Sequence, residues 1–243
     1  MRILLIATNR HQRLMSRMNA YPAPIGLAYI AGYLDPDRHD VKILDLMFSE
    51  DYLEETGRTV REFQPDLIGI SLRNLDNVSY MDPQWALPGT KEVIDKIRSI
   101  TEAPIVCGGP GFSLLPEACF DYLGLDLGVA GDGGESFAQL ADAMESGETY
   151  HNMPGLVYRD DTGSIVRKGL AYSEFSKPPL LDQLDMARYE KAGFGIGVVT
   201  KLGNSFSNSI IAENDTAAWR VLRPIEEVID DVRDLQDRFG LRK

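Results

Sequence analysis

Five short runs of branched and apolar residues recur through the first 130 positions: Ile3–Ala7, Val41–Leu46, Leu67–Ser71, Ile105–Cys107 and Leu127–Ala130. Between them the apolar positions take helical spacing, over about 25–34, 52–63, 89–101, 115–123 and 134–146. Such alternation predicts a mostly parallel sheet wrapped by helices, with right-handed crossovers. Past residue 148 the pattern changes. The segment 152–168, "NMPGLVYRDDTGSIVRK", reads as a β-hairpin turning at Asp161-Thr162-Gly163, and a proline-containing connector, "SKPPLLDQLDMARYE", follows. A last helix sets Ile225, Val228, Ile229, Val232, Leu235 and Phe239 on one stripe. Glu226, Glu227, Asp230, Asp231, Asp234 and Asp237 stand largely opposite. The expected division is a Rossmann-like domain over 1–148, a hairpin and connector over 149–192, and a third segment over 193–243.

Five strands in this rhythm point to an α/β fold of flavodoxin-like (Rossmann-like), doubly wound type, a five-stranded parallel sheet in the order 2-1-3-4-5. Ligands of that architecture sit beyond the carboxyl ends of the strands, near the switch point between strands 1 and 3. The chain's 243 residues, 44% of them hydrophobic, suffice for a sizeable core. The formal net charge of −12 disfavours nucleic acid and anionic membrane surfaces as partners. The opening run "MRILLIATN" is too short for a signal peptide and reads as a strand, so a cytoplasmic protein is expected. Cys107 and Cys119 are the two cysteines, too few and wrongly spaced for a thiolate metal site, and read as small buried hydrophobes.

The loops at the carboxyl ends carry the chemistry. The first, "TNRHQRLMSRMNAYPAPIG", is long enough to cover a ligand or partner. The third strand runs into "SLRNLDN", amide-rich and nearly uncharged, with Ser71, Leu72, Asn74 and Asn77 as candidate ligand contacts. The fourth runs into "CGGPGF", where Gly108, Gly109 and Gly111 permit close backbone approach and Phe112 offers an apolar face; a simple tight turn would use the same residues. In "AGDGGESF", Gly131 and Gly133 flank Asp132, placed to cap the next helix, with Glu135 in its first turn. A phospho-accepting receiver is excluded by Asn9 and Ser71 where acids are needed, and neither a Walker motif nor a dinucleotide fingerprint is present. Flavin binding is not excluded by composition.

Together "YPAPIGLAYIAGYL", "DLIGISLRNLDN", "PIVCGGPGFSLLPE" and "GVAGDGGESF" resemble the N-terminal cobalamin-binding domain of B12-dependent radical SAM proteins. The likeness continues into the third segment, and the resemblance implies that 193–243 is a remnant of the start of a radical SAM barrel. In that family a strand ending Thr-Lys-x-Gly precedes the cluster motif CxxxCxxC and then a Trp-Arg and Arg-x-Pro stretch. Here Thr200, Lys201, Gly203, Trp219, Arg220, Arg223 and Pro224 stand in that order, but Asn204, Asn208 and Ile211 occupy the three cysteine positions. Neither an amide nor an isoleucine replaces a thiolate on an iron-sulfur cluster. No 4Fe-4S cluster is expected, and no reductive cleavage of S-adenosylmethionine by this chain alone. The chain ends at Lys243, too soon for a barrel, which takes about 200 residues or more.

The resemblance implies that cobalamin's corrin lies across the carboxyl edge while its nucleotide tail enters the domain past Ser71, Gly108 and Gly109. Asn74, Asn77 and the amides around 131–134 would meet the corrin's neutral amide groups. Of the Asp-x-His-x-x-Gly cobalt-ligand motif, Asn9 to Leu14 keeps only the histidine. His11 is a candidate cobalt ligand, and the radical SAM branch implies a cobalamin without a protein imidazole. His39 and His151 read as surface or turn residues. The functional expectation is a cobalamin-binding carrier or sensor. Its alternatives are a fragment or cysteine-substituted form of a B12-dependent radical SAM methyltransferase, and a ligand-free flavodoxin-like interaction module. The last helix would pack within the chain, on a second copy as a homodimer, or on a separate radical SAM subunit.

Overall fold

The computed structural model describes residues 1–9, 21–77, 80–172, 177–192, 196–203 and 220–240. Its strands and helices run β1 (Arg2–Ala7), α1 (Ile25–Tyr33), β2 (Asp40–Asp45), α2 (Tyr52–Phe63), β3 (Leu67–Ser71), α3 (Leu87–Arg98), β4 (Ile105–Gly108), α4 (Pro110–Leu114), α5 (Pro116–Leu123), β5 (Leu127–Val129) and α6 (Gly134–Ser146). The hairpin β6 (Leu156–Arg159) and β7 (Ile165–Arg167) follows, then α7 (Met186–Lys191), β8 (Lys201–Gly203), β9 (Arg220–Leu222) and α8 (Ile225–Phe239). Among the described residues no helix is long and apolar enough to cross a membrane.

The five expected strands pair in parallel in the order 2-1-3-4-5, and the fold is α/β of the flavodoxin-like type. The hairpin extends this five-stranded parallel sheet, adding antiparallel strands β6 and β7 beside β5 to give seven strands in all. Its turn is fixed by Asp160, whose Oδ1 accepts from the Thr162 and Ser164 amides and the Thr162 hydroxyl, which hold the carboxyl below its ordinary pKa.

Alternate residues of each strand enter different cores, as the pleat requires. Ile3, Leu5 and Ala7 of β1 join α1 and α6 through Leu27, Ala28, Phe137 and Leu140. Leu4 and Ile6 join α2, α3 and α5 on the opposite face through Val60, Ile94, Ile97 and Phe120. Capping accounts for the start of α2, where the Asp51 carboxylate accepts from the Glu54 amide at 3.0 Å. It does not account for α6: the capping position is Gly133 with no side-chain cap, and Asp132, expected to fill that role, instead gives its amide to Ala171 O at 2.9 Å.

The connector is bound to the sheet domain along its length. Leu180 N–H donates to Ala28 O at 2.8 Å. The Gln183 side chain accepts from Ile43 N–H at 2.8 Å and donates to Val41 O at 2.6 Å, so one amide side chain mimics a neighbouring strand along the outer edge of β2. Tyr189 of α7, fully buried, donates to Asp45 Oδ2 at 2.5 Å and packs against Phe48. The last helix rests on α1. Leu235 is buried there, and Arg223, its side chain 5% exposed, donates to Tyr29 Oη and Val199 O, each at 3.1 Å, and to Asp231. Burial pushes the Tyr29 hydroxyl up to a pKa of about 12. The stripe expected on α8 is thus split: Leu235 faces inward, while Ile225, Ile229 and Val232 stay exposed.

Candidate functional site at the carboxyl edge of the sheet

At the carboxyl ends of β3, β4 and β5 the parallel ladder stops early. β4 and β5 share two register pairs, Val106↔Leu127 and Cys107↔Gly128, and beyond them the chains part. A cavity of about 640 Å³ opens in that gap and runs down the α1 and α6 face of the sheet. Leu5, Gly69, Val106 and Phe137 form its floor; Gly26, Leu27 and Ile30 of α1 form one wall. The glycines decide its shape. A Cβ at Gly26 would meet nothing within 4 Å, and one at Gly108 would approach only Val129 O, at 3.2 Å, so any larger residue there would project into the space.

Gly109 and Gly131 are needed for their backbones. Their φ angles of +100° and +98° lie in the region open to glycine, and a Cβ at Gly131 would stand 2.3 Å from Ala171 O. Among the described residues the lining carries two charged side chains, Asp132 and Arg167, the latter 3.7 Å from Glu117. A flat, largely apolar and uncharged group suits such walls, with hydrogen bonds confined to the rim.

Of the residues expected at the site, Ser71, Gly108, Gly109, Gly131 and Gly133 line this cavity together. Leu72 is buried behind it, and its carbonyl accepts from the Gly111 amide at 2.9 Å. Gly111 is itself buried, where a Cβ would meet the Asn74 backbone at 2.9 Å. Phe112 does not face the cavity: it is fully buried, with its ring under Gly128. Asn77 closes its own loop, accepting from Gln84 N–H at 3.0 Å and donating to Asp82 O at 2.9 Å. Glu135 accepts from the Gln139 side chain on the α6 surface. His11, Asn204, Asn208 and Ile211 lie outside the described residues.

Sequence reasoning missed the wall contributed by Arg167, Leu170, Ala171 and Tyr172 after the hairpin. Ala171 donates to Ala130 O and accepts from Asp132 N–H, clipping that segment to the loop after β5. A single glycine, Gly169 at φ +72°, is the one local hint of the turn back. The two cysteines are buried at the sheet; burial raises both thiols, Cys119 to about 11.

Comparison with known proteins agrees with this geometry. The tryptophan 2-C-methyltransferase of Streptomyces laurentii is 33% identical over 166 residues, 66% of this chain and 26% of that protein. An uncharacterized methyltransferase of Pyrococcus horikoshii is 26% identical over 258 residues, covering 100% of this chain and 52% of its own. The chain therefore spans about half the length, or less, of the curated relatives it matches. Among solved structures, the radical S-adenosylmethionine methyltransferase TsrM from Kitasatospora setae, determined with cobalamin and a 4Fe-4S cluster bound, superposes with a TM-score of 0.81. It is 25% identical, over 98% of this chain and 46% of that one. The cobalamin-dependent radical enzyme OxsB shares the fold at a TM-score of 0.76 and 18% identity, over 99% of this chain and 32% of its own. The B12 binding domain family matches residues 14–141, more than half of the sequence, and this chain belongs to that family.

Proposed function

We propose that the protein binds cobalamin with its nucleotide tail in the glycine-walled cavity and its corrin across the carboxyl edge, and that it acts as a binder, carrier or sensor. The observation that carries the reading is the cavity itself, which opens where Gly26 and Gly108 leave space that any side chain would fill. Ser71, Gly108, Gly109, Gly131 and Gly133 would hold the tail, and the amide-bearing loop at Asn74 and Asn77 would meet the rim of the macrocycle. Cobalamin supplies methyl transfer through cobalt when bound; this chain's own share is to bind it, orient it and shield the tail from water.

A non-catalytic role is supported by the thiol inventory. Three thiolates are wanted for the cluster of the resembling enzymes, whereas this sequence has Cys107 and Cys119, both buried at the sheet, and Asn204, Asn208 and Ile211 at the motif positions. Two free cysteines also suit the cytoplasm. In this division of labour residues 1–148 form the cobalamin-binding domain, 149–192 its hairpin and connector, and 193–243 the remnant of the start of a radical SAM barrel. A second reading, a part or cysteine-substituted form of a B12-dependent radical SAM methyltransferase, is favoured by one observation. Leu222, Ile225, Ile229 and Val232 present an outward apolar stripe suited to a barrel-bearing radical SAM subunit or a second copy of this chain.

The test is a visible spectrum after incubation with hydroxocobalamin and desalting, with Gly108→Leu and Gly109→Leu variants in parallel. Corrinoid bands retained by the wild type and lost from variants of unchanged circular dichroism are expected. Colourless wild-type protein would overturn the cobalamin reading and leave a ligand-free interaction module.

A further inference from the structure

Between the two loops that form the mouth of the cavity stands a single hydroxyl. Ser113, in the short helix α4, donates from Oγ to Gly109 O at 2.9 Å and accepts at the same oxygen from Gly131 N–H at 2.9 Å. These are the two positive-φ glycines of the site, one after β4 and one after β5. The β4–β5 ladder ends at Cys107↔Gly128, so past that point strand pairing no longer fixes the distance between the loops. Ser113 itself lines the cavity.

We infer that Ser113 is a positioning residue for the cobalamin tail: its hydroxyl pins the loops after β4 and β5 at the separation the tail requires. The inference rests on the cobalamin reading and names what sets the width of the cavity. With alanine at this position Gly109 O keeps the Ser113 backbone amide as a donor, at 3.0 Å, but the Gly131 amide loses its acceptor. The loop after β5 then keeps its bonds to Gly155 and Ala171 but loses its tie to the loop after β4, and part of its ordering must be supplied at binding.

The experiment compares wild type, S113A and S113T in binding hydroxocobalamin and cobinamide, which lacks the nucleotide tail, with hydrogen exchange at the Gly131 amide read in the unliganded protein. For S113A the expected result is a cobalamin dissociation constant raised about tenfold, the scale of one lost hydrogen bond, with cobinamide affinity unchanged. Gly131 exchange should quicken in S113A and return to the wild-type rate in S113T, which keeps the hydroxyl. Equal weakening of both corrinoids, or Gly131 protection indifferent to the hydroxyl, overturns the role while leaving cobalamin binding intact. Wild-type protein that takes up neither corrinoid overturns both.

Discussion

Asp45 closes β2 with a carboxylate that has little contact with water. Burial raises its pKa above the ordinary value even though Tyr189 and Met47 donate hydrogen bonds that favour the charged form. A folded state that holds this proton more tightly than the unfolded chain gains from it most below the ordinary carboxylate pKa. That gain declines as pH rises through the raised value. Asp45→Asn removes the titration, so the melting temperature of the variant minus that of the wild type should grow with pH across the mildly acidic range; a difference that shrinks would contradict the assignment. The same scale explains Phe112. A Cβ on Gly128 would lie 2.4 Å from its ring, so the phenylalanine occupies the volume that glycine vacates and is spent on the core. Nothing in "GGPGF" distinguishes an aromatic that faces a ligand from one that fills a gap beneath the next strand.

The elements of the sheet domain were legible because each is specified locally. β1 to β5 are short apolar runs, and α2 is announced by Asp51 at its cap and Glu54 and Glu55 in its first turn. Placement of the connector was not legible. Gln183 reaches Val41 and Ile43, some 140 positions earlier in the chain, and a side chain bonding a distant backbone leaves no periodic trace. The wall at Arg167 and Tyr172 escaped notice for the same reason: it depends on the hairpin joining β5, a pairing that local turn chemistry does not specify. Gln183→Ala should cost about 1–2 kcal/mol, the worth of two modest hydrogen bonds at a strand edge, measurable as a lower urea midpoint at unchanged slope.

Across the whole molecule the last helix is joined to the sheet domain through few but well-enclosed contacts. Arg223 brings Tyr29 of α1, Val199 and Asp231 of α8 onto one guanidinium. Removing it by Arg223→Ala leaves Asp231 and the Tyr29 hydroxyl without their cation, at a cost of about 3 kcal/mol if the helix stays docked. The expected outcome is that α8 detaches instead. Limited proteolysis should then cut at α8 in the variant while the sheet domain stays resistant, and cobalamin uptake, which uses the Gly26, Leu27 and Ile30 face of α1, should be kept. Equal protease resistance in variant and wild type would show that Leu235 and its neighbours suffice to hold the helix.

The strap along β2 has one more consequence, for how copies of this protein meet each other. An outer strand with open amides and carbonyls is a template for another chain to extend, the usual beginning of edge-to-edge aggregation. Gln183 occupies that template at Val41 and Ile43, and the hairpin covers β5 at the other side of the parallel sheet. A piece trimmed to residues 1–148 would therefore keep every cavity-lining glycine yet bare both flanks of its sheet, and would trade solubility for brevity.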